Sequence, residues 1–242
     1  MSVKLTVVGS SPAWPNPGGA QSGYIVDGGD GRLLLDCGPG VLPRLRQREG
    51  WPQLDAIAIS HFHLDHWGDL ATWAWGSMFL ARDRPKPELW VQSGGVEQLT
   101  DFGEWMGTPW MFERAFEQRE YEEGRSFRTA GLDVTPVRLP HYQLRTYGFR
   151  VANEQRTLAY SGDSGPSDRL AELARDVDLF VCEATLLRGD LDAEPRGHLS
   201  ADEAVDAFEA SGARRLLLTH RPDELPLDDR LELAYDGLEL EV

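Results

Sequence analysis

Short apolar runs recur along the chain, most of them rich in Val, Leu and Ile and bounded by Gly, Pro or Asp. This is the pattern of buried strands. The candidates are Lys4 to Val8, Gly23 to Val26, Arg32 to Asp36, Ala56 to Ser60, Glu88 to Val91, Leu132 to Leu139, Tyr147 to Val151, Thr157 to Ser161, Leu179 to Cys182 and Arg215 to Thr219. Between them, Gly40 to Gln47, Asp69 to Arg82, Gly95 to Met106, Ser167 to Asp176 and Ser200 to Ser211 read as helices. The last is the best punctuated: Ser200-Ala201-Asp202-Glu203 fits a capping box, and Gly212 follows at the end. Helices after strands predict an α/β protein. The strands are too many for one parallel sheet, so two sheets with helices outside are expected. The aromatic segment from Trp105 to Tyr121 reads as a lid or an insertion rather than a separate domain.

Composition changes this picture little. Of the 242 residues 41% are hydrophobic, enough for a sizeable core. No run approaches the ~20 apolar residues of a membrane span. The segment Met1-Ser2-Val3-Lys4-Leu5 has neither the apolar stretch nor the cleavage site of a signal peptide, so a cytoplasmic protein is expected. Cys37 and Cys182 each end an apolar run and form no CxxC pair, which reads as two reduced core thiols. Charge matters more. A net charge of -16 repels polyanions, and the alternating Arg44, Arg46 and Arg48 read as a solvated helix face. A large nucleic-acid footprint is therefore disfavoured.

Three of the six histidines fall in His61-Phe62-His63-Leu64-Asp65-His66. His61, His141 and His220 each follow an apolar run, as do Asp163 and Glu183. Metal-competent side chains thus recur at the C-terminal ends of five predicted strands, the edge where α/β folds usually build their sites. One histidine alone is most often structural. Several donors converging from rigid elements, with a carboxylate to bridge, are what a dinuclear centre needs.

On these residues the chain resembles the metallo-β-lactamase superfamily, whose signature is HxHxDH after a strand, and the likeness extends over nearly the whole chain. The resemblance implies one four-layer αββα sandwich domain over residues 1–242. Leu35-Asp36-Cys37-Gly38-Pro39-Gly40 resembles the glycine turn before the signature. Matched by position, one metal would take His61, His63 and His141, and the other Asp65, His66 and His220, with Asp163 bridging. Zinc suits the His-rich donors best, with manganese or iron as alternatives. The pair Asp65-His66 sets the chain apart from true β-lactamases that replace the last signature His and add a ligand Cys. His63 stands where flavodiiron oxidoreductases usually carry Glu.

A closer likeness is to ribonuclease Z and its small relatives. Glu183-Ala184-Thr185 resembles their Glu-x-Thr element, and Gly197-His198-Leu199-Ser200 their His-Ser-Thr element, with Leu199 a departure. This implies that Glu183 orients His198 and that His198 assists the leaving group, so that His198, Glu183 and Asp65 are the catalytic candidates. Ser200 has a plainer reading as a helix N-cap. The basic arm with which that group grips tRNA has no room between His141 and Asp163. The stretch from Lys86 to Gly131 is an alternative grip, yet it contains the acidic run Glu117 to Glu123.

Two dications against Asp65, Asp163 and a hydroxide leave a site of about +1, able to attract a phosphate in an acidic protein. The aromatic residues Trp67, Trp73, Trp75, Trp105, Trp110 and Phe112 are either helix-to-sheet packing or a substrate wall, and Ser10 to Gly19 is either a surface turn or a rim. The expected function is phosphodiester hydrolysis of a small or nucleotide-like substrate, without membrane or nucleic-acid partners; a homodimer is compatible. The alternatives are tRNA 3′ processing, lactone or thioester hydrolysis, and a non-catalytic, metal-stabilised binding protein.

Overall fold

A computed structural model describes residues 3–80 and 84–242. Arg82, the predicted end of one helix, lies outside the described residues, as do Met1 and Ser2. The chain runs β1 (Lys4–Gly9), β2 (Gly23–Asp27), β3 (Arg32–Leu35), α1 (Val41–Glu49), β4 (Ala56–Ala58), α2 (Leu64–Trp67), α3 (Asp69–Leu80), β5 (Glu88–Gln92), α4 (Gly95–Trp105), α5 (Met111–Ala115), β6 (Glu117–Tyr121) and β7 (Phe127–Thr129). It continues through β8 (Leu132–His141), β9 (Leu144–Ala152), β10 (Thr157–Tyr160), α6 (Asp168–Leu173), β11 (Leu179–Glu183), a 3₁₀ turn (Gly189–Leu191), α7 (Ala201–Ser211), β12 (Leu216–Thr219) and β13 (Glu239–Glu241).

The strands form two sheets, ordered β13-β1-β2-β3-β4-β5-β6 and β12-β11-β10-β9-β8-β7. Side-chain alternation sorts each strand between two cores. Leu33 and Leu35 of β3 join Val134, Phe149, Leu158 and Val181 between the sheets. Leu34 points the other way and packs with Leu45 of α1, Trp73 of α3 and Phe112 of α5. On the far side, Phe180 and Leu218 meet Leu170 of α6 and Ala204 of α7. The result is an αββα sandwich. No helix among the described residues is long and apolar enough to cross a membrane.

Within the first sheet β3, β4, β5 and β6 are parallel, and in the second β10, β11 and β12 are parallel. β8 is antiparallel to β9, and β9 to β10, so β8 runs with that group. The strands that carry the predicted donors therefore end along one edge of the sandwich.

Several boundaries differ from the sequence reading. β4 stops at Ala58, so His61 hangs on a short loop beyond the strand, whereas His141 is the last residue of β8. The helix expected from Ser167 to Asp176 is shorter, with Ser167 capping it through its hydroxyl. Ser200 caps α7 in a full capping box, and Gly212 ends it in the left-handed region. Both cysteines are free and buried.

Trp105 to Tyr121 is not a lid. Met111, Phe112 and Phe116 are buried against the first sheet, and Glu117–Tyr121 is its edge strand. Its charged residues mark a protected edge. Trp67, Trp73 and Phe112 likewise pack helix to sheet, while Trp75 and Trp105 are exposed. Between His141 and Asp163 the chain is occupied by β9 and β10, and no arm projects there.

Candidate metal centre

The signature segment is shaped by a tight approach. A Cβ on Gly38 would lie 2.0 Å from the Asp65 carbonyl oxygen, so only glycine lets the turn after β3 cross the start of α2. Cys37 N–H donates to His66 O at 2.7 Å, and Asp69 N–H to Cys37 O at 3.0 Å, which pins α2 to that turn. His220 (φ 54°) follows β12 in the left-handed region, as Asp36 (φ 58°) follows β3. Such backbone persists only where surrounding contacts determine it, often at functional sites.

All seven predicted ligands come together. His61, His63, His141 and Asp163 form one set, and Asp65, His66, Asp163 and His220 another; within each set the ligand atoms lie within 4.8 Å of one another. In the first set, His63 Nδ1 is 3.1 Å from His61 Nε2 and 2.8 Å from His141 Nε2. Asp163 Oδ2 is 3.7 Å from both His61 Nε2 and His141 Nε2. In the second, Asp163 Oδ1 is 3.2 Å from His66 Nε2 and 3.6 Å from His220 Nε2. Asp65 Oδ2 is 3.4 Å and 3.1 Å from the same two nitrogens. Metal–nitrogen bonds of ~2.0–2.1 Å place tetrahedral donors roughly 3.3 Å apart. The observed spacings bracket that value, and the two oxygens of Asp163 divide between the sets.

The far side of each ring decides which nitrogen is available. Ser60 Oγ donates to Asp36 Oδ2 at 2.8 Å, so it accepts from His61 Nδ1 at 3.0 Å. His66 Nδ1 donates to Asp36 Oδ2 at 2.7 Å, and His141 Nδ1 to Gly197 O at 2.6 Å. Thr185 Oγ1 donates to Glu183 Oε2 at 2.7 Å and accepts from His220 Nδ1 at 2.8 Å. Four rings are thus fixed with the Nε2 lone pair facing inward, as metal-ligating histidines are. His66 Nε2 and Asp163 Oδ1 are buried, 3.2 Å apart and without a hydrogen-bond partner; with the His66 proton on Nδ1, both are acceptors. Orphans of this kind call for an ion. The donor set fits two divalent cations.

Electrostatics agree. Burial pushes His61, His63 and His141 below the usual imidazole range, which leaves them neutral and able to coordinate. At His66 burial is outweighed by the carboxylates of Asp163 and Asp36, which raise its pKa and mark a strongly negative potential. Burial alone would raise the Asp163 carboxyl, but His220 and His66 hold it well below the carboxylate range.

The two remaining candidates adjoin this centre. His198 Nδ1 lies 3.0 Å from Glu183 Oε1, and the His198 ring stacks on His220 with centroids 5.7 Å apart. Ser164 N–H at 2.7 Å and Leu199 N–H at 3.3 Å also donate to Glu183, which is fully buried. Burial would lower the His198 pKa, but the carboxylates of Glu183, Asp163 and Asp192 raise it to about 9.

Asp36 was passed over in the sequence, where it appeared only as part of a glycine turn. It is a buried carboxylate on which Ser60, His66 and Tyr160 converge, Tyr160 Oη at 2.6 Å. An acid directly after Leu33-Leu34-Leu35 was the available signal, since an apolar run predicts burial and a buried carboxylate needs partners.

Residues 31–221 match the family described as a beta-lactamase superfamily domain. The chain belongs to this family. It is 32% identical to the uncharacterized protein ML1173 of Mycobacterium leprae (strain TN), covering 98% of this chain and 85% of that protein. A probable metallo-hydrolase, YhfI of Bacillus subtilis (strain 168), is 27% identical over 91% of this chain and 87% of its own. A ribonuclease Z of Mycobacterium bovis (strain BCG / Pasteur 1173P2) is 28% identical over 90% and 85%. Among solved structures, the metallo-beta-lactamase fold protein YhfI superposes with a TM-score of 0.85 at 24% identity, covering 99% of each chain. A diphosphatase from the PhnP family gives 0.80 at 22% identity, covering 99% of this chain and 98% of that one. These superpositions identify the metallo-β-lactamase fold.

Proposed function

We propose that the protein is a dinuclear metal-dependent phosphodiesterase acting on a small or nucleotide-like substrate. The observation that carries this reading is the Glu183–His198 pair, 3.0 Å apart and set against the ligand cluster through His220. A thioester has a good leaving group and needs little acid assistance, whereas the alkoxide leaving a phosphodiester needs a proton. Zinc is the metal the imidazole-rich donor set favours.

His61, His63, His141, Asp65, His66, Asp163 and His220 would hold two divalent ions, which when bound would supply activated water at neutral pH and positive charge for the phosphoryl oxygens. The protein's own part is positional. Asp163 sets the separation of the two sites, and Asp36, Ser60, Thr185 and the Gly197 carbonyl hold the imidazoles in their tautomers. Glu183 holds Nδ1 of His198, which leaves Nε2 as the nitrogen with a proton to give to the departing oxygen. We place this in a single domain working in the cytoplasm.

Elemental analysis of protein purified without added metal should give close to two equivalents per chain. A value near zero, with no uptake of zinc or manganese, would remove the basis of this reading and leave a metal-free protein. Metal-defined enzyme should then hydrolyse phosphodiesters faster than lactones or thioesters; the reverse order would favour an esterase.

The ribonuclease Z relatives make tRNA processing the competing activity. The absence of an arm between His141 and Asp163, the edge-strand role of Glu117–Tyr121 and the net charge of -16 all oppose it. Cleavage at the 3′ end of a tRNA precursor at physiological salt should be weak or absent. Efficient processing there would make that activity the better description.

A further inference from the structure

His198 sits on a loop, not on a strand; Glu183 holds its ring and the Leu199 N–H after it, which leaves the His198 N–H itself in need of an anchor. Asp192, just after the 3₁₀ turn, supplies one. Its Oδ2 accepts from Gly197 N–H at 2.7 Å and from His198 N–H at 2.9 Å. Its Oδ1 accepts from Tyr142 Oη at 2.9 Å and from Ala193 N–H at 2.8 Å. One carboxylate therefore ties the loop of His198 to the residue that follows the ligand His141.

Tyr142 is placed for this role. It follows β8 in the left-handed region (φ 47°), and its N–H donates to Arg196 O at 3.3 Å. Its ring lies against His141 and His198, with centroids 4.9 and 5.6 Å away. It also covers Gly197 so closely that a Cβ there would sit 2.4 Å from ring carbons. Gly197 is thus held on both sides: Asp192 takes its N–H, while its carbonyl receives His141 Nδ1 at 2.6 Å. Arg196 completes the loop, bonded to both Glu203 oxygens at 2.6 and 2.8 Å and to His198 O at 3.1 Å.

We infer that Asp192, with Tyr142 as its second anchor, is the positioning residue that aims His198 at the leaving group. The inference rests on the phosphodiesterase reading above for its kinetic consequence, but its geometry stands apart from it. Asp192 touches no metal ligand side chain. It acts by fixing two backbone N–H groups, and a displacement near 1 Å of a catalytic group lowers a rate by about 10²-fold. The effect should appear only where the acid is needed.

The test uses metal-loaded enzyme and two phosphodiesters, one with a nitrophenolate and one with an alkoxide leaving group, alongside amide hydrogen exchange. At saturating metal, Asp192→Ala should lose ~10–100-fold more in kcat on the alkyl diester than on the aryl diester, with little change in KM. Asp192→Asn, whose carbonyl oxygen still accepts from the two N–H groups, should restore most of that loss. In exchange, the amides of Gly197 and His198 should lose protection in Asp192→Ala and regain it in Asp192→Asn. Equal losses on both diesters, or unchanged protection, would overturn the inference. If the unsubstituted enzyme cleaves neither diester, the phosphodiesterase reading is what fails, and the exchange result alone then upholds or refutes the anchor.

Discussion

Asp163→Ala should lose metal and activity together. Each of its oxygens faces a different ligand set: Oδ2 is 3.7 Å from His61 and His141, and Oδ1 is 3.2 Å from His66. Among the described residues no other carboxylate spans both sets, since Asp65 belongs to one of them. Removing it leaves two clusters of imidazoles with one carboxylate between them, and two dications that would repel each other without an intervening anion. Loss of an outer-shell partner alone costs ~10–100-fold in metal affinity, so loss of a carboxylate that would bridge the two ions should exceed that. Metal content after dialysis and turnover of an activated diester check it. If Asp163 were only a turn residue leading into α6, the variant would keep both metals and lose ~1 kcal/mol of stability. The structure leaves that role to Ser167, whose hydroxyl accepts from Arg169 N–H.

His198→Ala should behave in the opposite way, keeping both metals while its rate loss depends on the leaving group. A nitrophenolate departs without a proton, so the loss on an aryl diester should be small. An alkoxide does not, and there the loss should reach the ~10²–10⁴-fold range of acid–base assistance. Equal losses on both substrates, or loss of metal, would make His198 a ligand or a structural residue. Glu183→Gln should shift the rates in the same direction, less steeply, because Glu183 only orients the ring. It should also destabilise the fold. Glu183 Oε1 accepts from Ser164 N–H and His198, and Oε2 from Thr185 and Leu199 N–H. An amide NH₂ would confront a buried donor on either side, at about 1–3 kcal/mol. Thermal unfolding and rate ratios on the two diesters separate these effects.

What the sequence determined by itself is whatever depends on near neighbours. Buried strands announce themselves because both faces are apolar, as in Leu33-Leu34-Leu35 or Leu216-Leu217-Leu218, and capping boxes because a span of four residues suffices to make them. The segment from His61 to His66 is dense enough in donors to suggest a metal centre before any fold is known. The candidate ligands His141, Asp163 and His220 stand out because each follows a strand-like run. The edge strands β6, β7 and β13 were missed for the converse reason. Glu117–Tyr121 and Glu239–Glu241 are largely exposed and charged, and only the neighbouring strand makes them strands. Whether the aromatic segment after Trp105 is a lid or part of the fold is not legible locally, because burial of Phe112 and Phe116 is decided by the sheet they cover. Only the tertiary structure could assign the partners of the ligands. Tyr160 reaches Asp36 from 124 residues away and Asp65 meets His220 across 155, while Asp192 finds its tyrosine 50 residues upstream. A hydrogen bond fixes a tautomer or a loop only when both groups arrive at one place, and that meeting is set by how two twisted sheets pack, which no local pattern encodes.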